Sequence, residues 1–341
     1  MITEKWNNYL DMLAPSEKDV YFTEEYHSLC ATEADTPRAF VYRSGDKVLL
    51  FPFLSRTMVM ADGTVVKDFE SAYGYGGPIS NTTDSVFIRR AMEEMSAEAV
   101  ADGYIAGFVR FHPLLGNHSL AGTLCTPLFN RHTVAINLDG SENDIWLNEI
   151  HTQNRNVIRK AAKSGLVFNA DYSFTALDDF RRLYRATMDK LSADGFYYFD
   201  NNYFERFRTL LPDSFIGTVS HYEKVIAAAI FMHSGPYGHY HLSGSDVDYL
   251  KLSPNNFMLW NAALELKKHG VRLFHLGGGT DGSPDNSLFR FKHRFSKELM
   301  DFHIGKIIFN KPEYDRVCAM WAADNPEKEA LYGSRLLKYR Y

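Results

Sequence analysis

The chain has 341 residues, 45% of them hydrophobic and 23% charged, with a net charge of −5 and a pI near 6.2. These values suit a globular chain long enough for two domains, and they exclude binding to nucleic acid through global basic charge. Three widely spaced cysteines (Cys30, Cys125, Cys318) form no metal-type motif, the polar start Met1–Trp6 lacks a signal-peptide core, and no run of about 18 apolar residues exists.

In chain order, residues 1–30 read as helical and then irregular. Residues 39–54 read as a hairpin turning at Ser44-Gly45-Asp46-Lys47. Tyr73-Gly74-Tyr75-Gly76-Gly77-Pro78 is a glycine-rich loop, 87–102 an amphipathic helix, and 107–113 a strand stopped by Pro113. Residues 131–138 predict another strand. A second unit is expected from Ser141, giving domains 1–140 and 141–341. It opens with one long helix over 144–164, ended by Gly165, and a second helix over 174–190. Strands are predicted at 215–219, 224–233 and 238–245, then a helix over 254–269 between Pro254 and Gly270, then a strand at 272–276. This order gives an α/β unit of mixed sheet with one crossover. The first half has a similar rhythm, so a structural repeat is expected without sequence identity.

The most informative stretch is Ser287-Leu-Phe-Arg-Phe-Lys-His-Arg-Phe295, just after Leu276-Gly277-Gly278-Gly279. Read as a strand, it puts Phe289, Phe291, His293 and Phe295 on one face and Arg290, Lys292 and Arg294 on the other. Lys292 is then either a solvated edge charge or a cation at a pocket where negative charge develops. Arg155 and Arg159 share a helical face, as do Lys160 and Lys163; the face is either merely solvated or an anion site. His239, His241, Ser243 and Ser245 alternate along one strand face, opposite Tyr240 and Leu242, and line either a cleft or a wet sheet surface. His241 is placed to act as a base, and no third ligand makes the histidines a metal site. Arg110 and His112 end the strand before Pro113. Tyr75, Gly278 and Asn256 complete the candidate binding residues, and the two glycine loops are alternatively no more than tight turns.

Together Tyr73-Gly-Tyr-Gly-Gly-Pro78, Arg110-Phe-His-Pro-Leu114, Arg155-Asn-x-Ile-Arg-Lys-Ala161, Tyr240-His-Leu-Ser-Gly-Ser245 and Leu276-Gly-Gly-Gly279 with Ser287-Leu-Phe-Arg-Phe-Lys-x-x-Phe295 resemble the FemAB-like acyltransferases of bacteria. The resemblance runs from about residue 40 to 310. It implies two tandem domains of the GNAT acetyltransferase fold with a cleft between them, and direct acyl or aminoacyl transfer to an amine or hydroxyl of a cell-envelope or polysaccharide precursor. It places Phe291 and Lys292 beside the reacting ester and turns Arg155 and Arg159 toward an anionic ligand, with Arg110 and His112 in the cleft. The chain departs from the pattern in two ways. It lacks the coiled-coil arm of the family's tRNA-handling members, which favours acyl-CoA as co-substrate, with no permanently bound cofactor. It also lacks the glycine-rich phosphate loop of ordinary GNAT enzymes, having Asp246-Val-Asp-Tyr-Leu-Lys-Leu-Ser253 there, which favours aminoacyl-tRNA. A non-catalytic binding module is the remaining alternative. Expected partners are a small-molecule donor and an envelope-precursor acceptor, with tRNA as the alternative donor, and no DNA. The expected location is cytoplasmic, with peripheral rather than spanning membrane association.

Overall fold

The computed structural model describes residues 1–60 and 62–341, and at Phe196 the backbone only. Its contacts divide the chain into two units, residues 1–130 with 301–341 and residues 131–300.

Unit 1 begins with β1 (Ile2–Thr3), α1 (Asn7–Leu10) and α2 (Glu24–Cys30). The hairpin of β2 (Asp35–Ser44) and β3 (Lys47–Val59) follows, turning at Gly45 with φ 61°. β4 (Val65–Glu70) and β5 (Ile79–Ser80) lead to α3 (Ser85–Ala101), where Asp84 caps the backbone amides of Val86 and Phe87. β6 (Tyr104–Arg110) completes the crossover and lies parallel to β4.

Unit 2 is entered through β7 (Leu128–Asn137), α4 (Glu142–Asn148) and α5 (Thr152–Ala162). β8 (Leu166–Asp171), α6 (Leu177–Lys190) and α7 (Asn201–Leu210) follow. Then come β9 (Phe215–His221), β10 (Lys224–Ser234), β11 (Tyr237–Ser245), α8 (Pro254–Lys268), β12 (Leu273–Gly278) and α9 (Ser287–His293). The chain returns to unit 1 with β13 (Leu299–Ile308), α10 (Lys311–Asp324) and α11 (Pro326–Tyr332).

The two units repeat one topology. Unit 1 orders its strands β1-β2-β3-β4-β6-β13, and unit 2 orders them β8-β9-β10-β11-β12-β7. In each, the first four strands pair antiparallel, a helix crosses to a parallel fifth, and a sixth pairs antiparallel with it. The sixth strand explains why residues 301–341 fall outside the 141–341 unit expected from sequence: β13 pairs with β6 from Ile304↔Arg110 to Ile308↔Ala106. The first boundary likewise falls at residue 130, because β7 belongs with β12. β10 is central in its sheet, and Ile226 to Met232 are fully buried, as a strand covered on both faces requires. In unit 2, α8 packs Met258, Leu259, Ala262, Ala263 and Leu266 onto Phe231 and Phe274. In unit 1, α3 closes an aromatic core around Phe51, Phe53 and Phe69, and Val317 and Trp321 of α10 pack with Val66 and Ile105.

Two predicted elements differ. The single helix over 144–164 is two, broken at Ile150–His151. Arg155 bends back to donate to the carbonyls of Trp146, Leu147 and Ile150, closing the end of α4 with a side chain. The stretch 287–295 is not a strand. Asn286 caps the backbone amides of Leu288 and Phe289 at 3.1 Å each and starts a helix. Ring pairs then form at i,i+4: Phe289 with His293 and Phe291 with Phe295.

Candidate active site

The chemistry-bearing residues of unit 2 meet where β11 and β12 part. These parallel strands pair only at Tyr237↔Leu273, Gly238↔Phe274 and His239↔His275, although β11 runs on to Ser245 and β12 to Gly278. Each strand carries a bulge at that level. On β11 the register against β10 passes from Phe231↔Tyr240 to Ile230↔Leu242, leaving His241 as the extra residue. On β12 the register against β7 passes from His275↔Ala135 to Gly277↔Val134. Bulges bend strands and increase their twist, which separates the two. In unit 1 the equivalent strands stay joined. β4 and β6 pair through Glu70↔Phe108, and the backbone bonding runs on through Ser71 and Gly76 to Arg110.

Lys292 stands in the unit 2 gap. Its Nζ donates to the Gly278 carbonyl on β12 at 2.8 Å and lies 5.8 Å from the centre of the Tyr240 ring on β11. The residue is 8% exposed, and among the described residues no carboxylate pairs with it. Burial alone pushes its ammonium down to about 7. The helix places it there: with β-strand geometry replaced by α9, Phe289 and Lys292 share the inward face at i,i+3.

The bulge at His241 reorders the polar face read from sequence. Ser243 and Ser245 turn to the Tyr240 side. The Tyr240 hydroxyl donates to Ser243 Oγ at 2.5 Å, and Asn255 Nδ2 of α8 donates to Ser245 Oγ at 3.2 Å. Asn255 Oδ1 is buried without a hydrogen-bond partner among the described residues. Asn256, one residue on, donates to Asn154 Oδ1 at 2.8 Å, and Asn154 in turn donates to the carbonyl of Arg294 at 3.2 Å. Asn256 therefore ties α8 and α5 to the end of α9. Phe291 packs against the unit 2 core and Phe295. Gly278 and Gly279 are needed sterically: a Cβ on the first would meet the His132 carbonyl at 2.9 Å, and one on the second Asn286 Oδ1 at 2.5 Å.

Other sequence-derived candidates are placed differently. His241 shares a 2.9 Å hydrogen bond with the Tyr203 hydroxyl of α7 and packs on Phe207. Burial, and then the neighbouring His239, lower it to about 3, so its ring is neutral. Arg155 is committed to the end of α4, and the Arg159 guanidinium lies 5.2 Å from the Trp146 ring centre. Arg110, His112 and Tyr75 belong to unit 1. There Arg110 bonds Glu70 and the Ser71 carbonyl, and His112 is fully buried against Asp19 at 2.9 Å. Tyr75 packs edge-on to Tyr21 and His112. The glycine loop at 73–78 is braced by Asn117, which donates to the carbonyls of Gly76 and Pro78. Sequence reasoning missed Tyr240, Asn255 and Asn154 as part of the site. The i,i+4 aromatic spacing in 289–295 was the available signal for α9, whereas nothing in the sequence marks the bulge that turns Tyr240 and Ser243 toward each other.

Residues 151–293 match the family profile described as an acetyltransferase (GNAT) domain. A comparison with curated proteins found no match. Among solved structures, the chain is similar to the crystal structure of FemX, with a TM-score of 0.68 and 14% identity over 92% of this chain and 99% of that one. It is also similar to the C-terminal domain of a putative lysylphosphatidylglycerol synthetase from Agrobacterium fabrum (TM-score 0.56, 13% identity, 88% and 90% covered). A third is L-PGS from Bacillus licheniformis (TM-score 0.54, 14% identity, 80% and 84% covered). At these identities the likeness is one of fold, and no helix of the described residues is long and apolar enough to cross a membrane. Residues 151–293 thus carry the match to an acetyltransferase (GNAT) domain, and the chain as a whole shares the fold of FemX.

Proposed function

We propose that the protein transfers an acyl or aminoacyl group directly from an activated donor to an amine or hydroxyl of a cell-envelope or polysaccharide precursor, with the chemistry at Lys292. The observation that carries this reading is the buried lysine in the gap between β11 and β12. A gap between parted parallel strands suits an extended amide-bearing arm that pairs with strand backbone. Acyl-CoA has such an arm, which makes it the preferred donor. The acceptor nitrogen or oxygen attacks the donor carbonyl carbon, the oxyanion forms beside the Lys292 ammonium, and the bond to the leaving group breaks. The acceptor's proton passes to that leaving group. A cation in a water-poor site stabilises such an oxyanion, and losing one such donor costs about a hundredfold or more in rate. We place the catalytic site in unit 2 and assign unit 1 a supporting role, in keeping with its closed strand pair. The second reading, aminoacyl-tRNA as donor, is favoured by residues 246–253. That segment forms a 3-10 turn with Asp246 bound to Lys224, where a phosphate loop would need glycines.

The test is calorimetric titration with coenzyme A and acetyl-CoA, using the protein and Lys292→Ala. Acetyl-CoA binding that weakens in the variant supports the acyl-CoA reading. Absence of binding overturns that donor and directs a transfer assay with charged tRNA. Binding of a donor with no turnover against amine or hydroxyl acceptors overturns catalysis in favour of a binding module.

A further inference from the structure

Charge in unit 2 is segregated. The chain carries 42 acidic against 37 basic residues, yet residues 151–165 and 286–297 contain no Asp or Glu. They hold Arg155, Arg159, Lys160 and Lys163 in the first stretch, and Arg290, Lys292, Arg294 and Lys297 in the second. Only Lys292 of these is buried.

The fold joins the two stretches on one surface. The His151 amide donates to the Arg294 carbonyl at 3.1 Å, and the rings of His151 and His293 are 5.3 Å apart. From there Arg155, Arg159 and Lys163 follow at i,i+4 steps along α5. Two apolar groups border the stripe. Leu147, 49% exposed, lies beside Arg155, which bonds its carbonyl, and Trp146 lies under Arg159. The nearby acid Glu149 is occupied by the Ser296 hydroxyl at 2.8 Å, and Asp285 faces Arg290 at 3.6 Å.

We propose that this face of α4, α5 and the end of α9 docks the protein on an anionic lipid surface. Exposed Arg and Lys with an exposed leucine and a half-buried tryptophan at their edge is the composition of an interfacial helix face: the cations meet the headgroups and the apolar groups enter the acyl boundary. A nucleic acid would be met by the same cations, but it gives no use to an exposed Leu147. Docking here would hold a soluble acyltransferase beside a lipid-linked or membrane-adjacent acceptor. The docking surface itself does not depend on the proposed chemistry.

Co-sedimentation with vesicles of pure phosphatidylcholine, and of phosphatidylcholine containing one third phosphatidylglycerol, tests it without any transfer reaction. Binding is expected to the second vesicle only and to fall with added salt. Arg159→Gln with Lys163→Gln should weaken it by roughly twenty-five-fold, at roughly fivefold per cation. Leu147→Ser should weaken it severalfold with the charge unchanged. All of these side chains are on the surface, and unchanged thermal melting would confirm that the variants fold. Binding to neither vesicle, or equal binding to both, overturns the proposal. So does an RNA oligonucleotide that binds with the same dependence on Arg159 and Lys163 while Leu147→Ser has no effect, which would make the face a nucleic-acid surface.

Discussion

Tyr240 donates its hydroxyl to Ser243 at 2.5 Å, although the two are three residues apart on one strand. In a regular strand they would point to opposite faces. They meet because His241 is extra in the register, and the same bulge leaves the Tyr240 ring under Lys292. Burial lifts the phenol to about 12, so it remains a donor throughout the neutral range. Tyr240→Phe should keep the ring against Lys292 and cost no more than about 1.5 kcal/mol of stability, the value of one hydrogen bond. Ser243→Ala should cost more, about 1–3 kcal/mol, because it strands a half-buried hydroxyl without its acceptor. Urea unfolding of the two variants checks the order; equal costs would mean that the Tyr240 hydroxyl turns to water.

Lys292 makes a signed prediction about pH. Its folded value of about 7 lies below the ordinary lysine value of 10.5. Folding therefore disfavours the ammonium. The penalty is absent above about pH 10.5, grows by roughly 1.4 kcal/mol per unit as pH falls, and is complete below about 7. Lys292→Met should consequently stabilise the protein at pH 6 relative to the parent, with the gain shrinking toward pH 10. Denaturant midpoints across that range decide it. If the ammonium stabilises the oxyanion, kcat/KM should fall as pH rises through about 7, the value of the free enzyme. A rate that instead rises through 7 would assign Lys292 as a base.

The sequence was legible wherever local pattern and tertiary need agreed. The β2–β3 hairpin, α3, the three strands β9–β11 and α8 with its Pro254 and Gly270 borders form at the predicted places, within a few residues at each end. It misled where one local pattern fits two geometries. Phe289 to Phe295 alternates like a strand and also repeats at i,i+4, and the Asn286 cap decides for the helix. Lys292 lies on a strand in the reading from sequence and on α9 in the structure. Its partner Tyr240 was assigned to the opposite side of β11, since a single-residue bulge leaves no mark in composition. Long-range closure was equally invisible: β13 joins unit 1 after an intervening chain of nearly two hundred residues.

Gly279 and Asn286 hold Lys292 indirectly. A Cβ at Gly279 would sit 2.5 Å from Asn286 Oδ1, the atom that caps α9. Gly279→Ala should force the cap aside and cost on the order of 1 kcal/mol, about what Asn286→Ala costs by deleting it. Both should lower kcat more than they raise KM, because they shift Lys292 without removing it. Matching losses in the two variants, with Lys292→Ala epistatic to both, would establish the cap as a positioning element. Additive losses would refute that.

The strongest stability prediction lies in unit 1. Asp68 is fully buried, and Arg340 reaches it through both Nε and a terminal nitrogen, with its other nitrogen on Glu70 at 2.5 Å. Burial raises the Asp68 carboxyl even though Arg340 opposes it. The pair is therefore held together by mutual need rather than by a large net gain. Arg340→Met should leave a buried carboxylate uncompensated and cost about 3–5 kcal/mol near neutral pH. Below the raised Asp68 value the carboxyl takes up a proton, so the cost of Arg340→Met should shrink as the medium is acidified. The double variant Arg340→Met with Asp68→Asn should recover most of the loss, because neither charge is then buried. Chemical unfolding of the two single variants and the double forms a cycle. A double variant as unstable as the sum of the singles would show that packing of the Arg340 stem, not its charge, secures the C-terminal segment within unit 1.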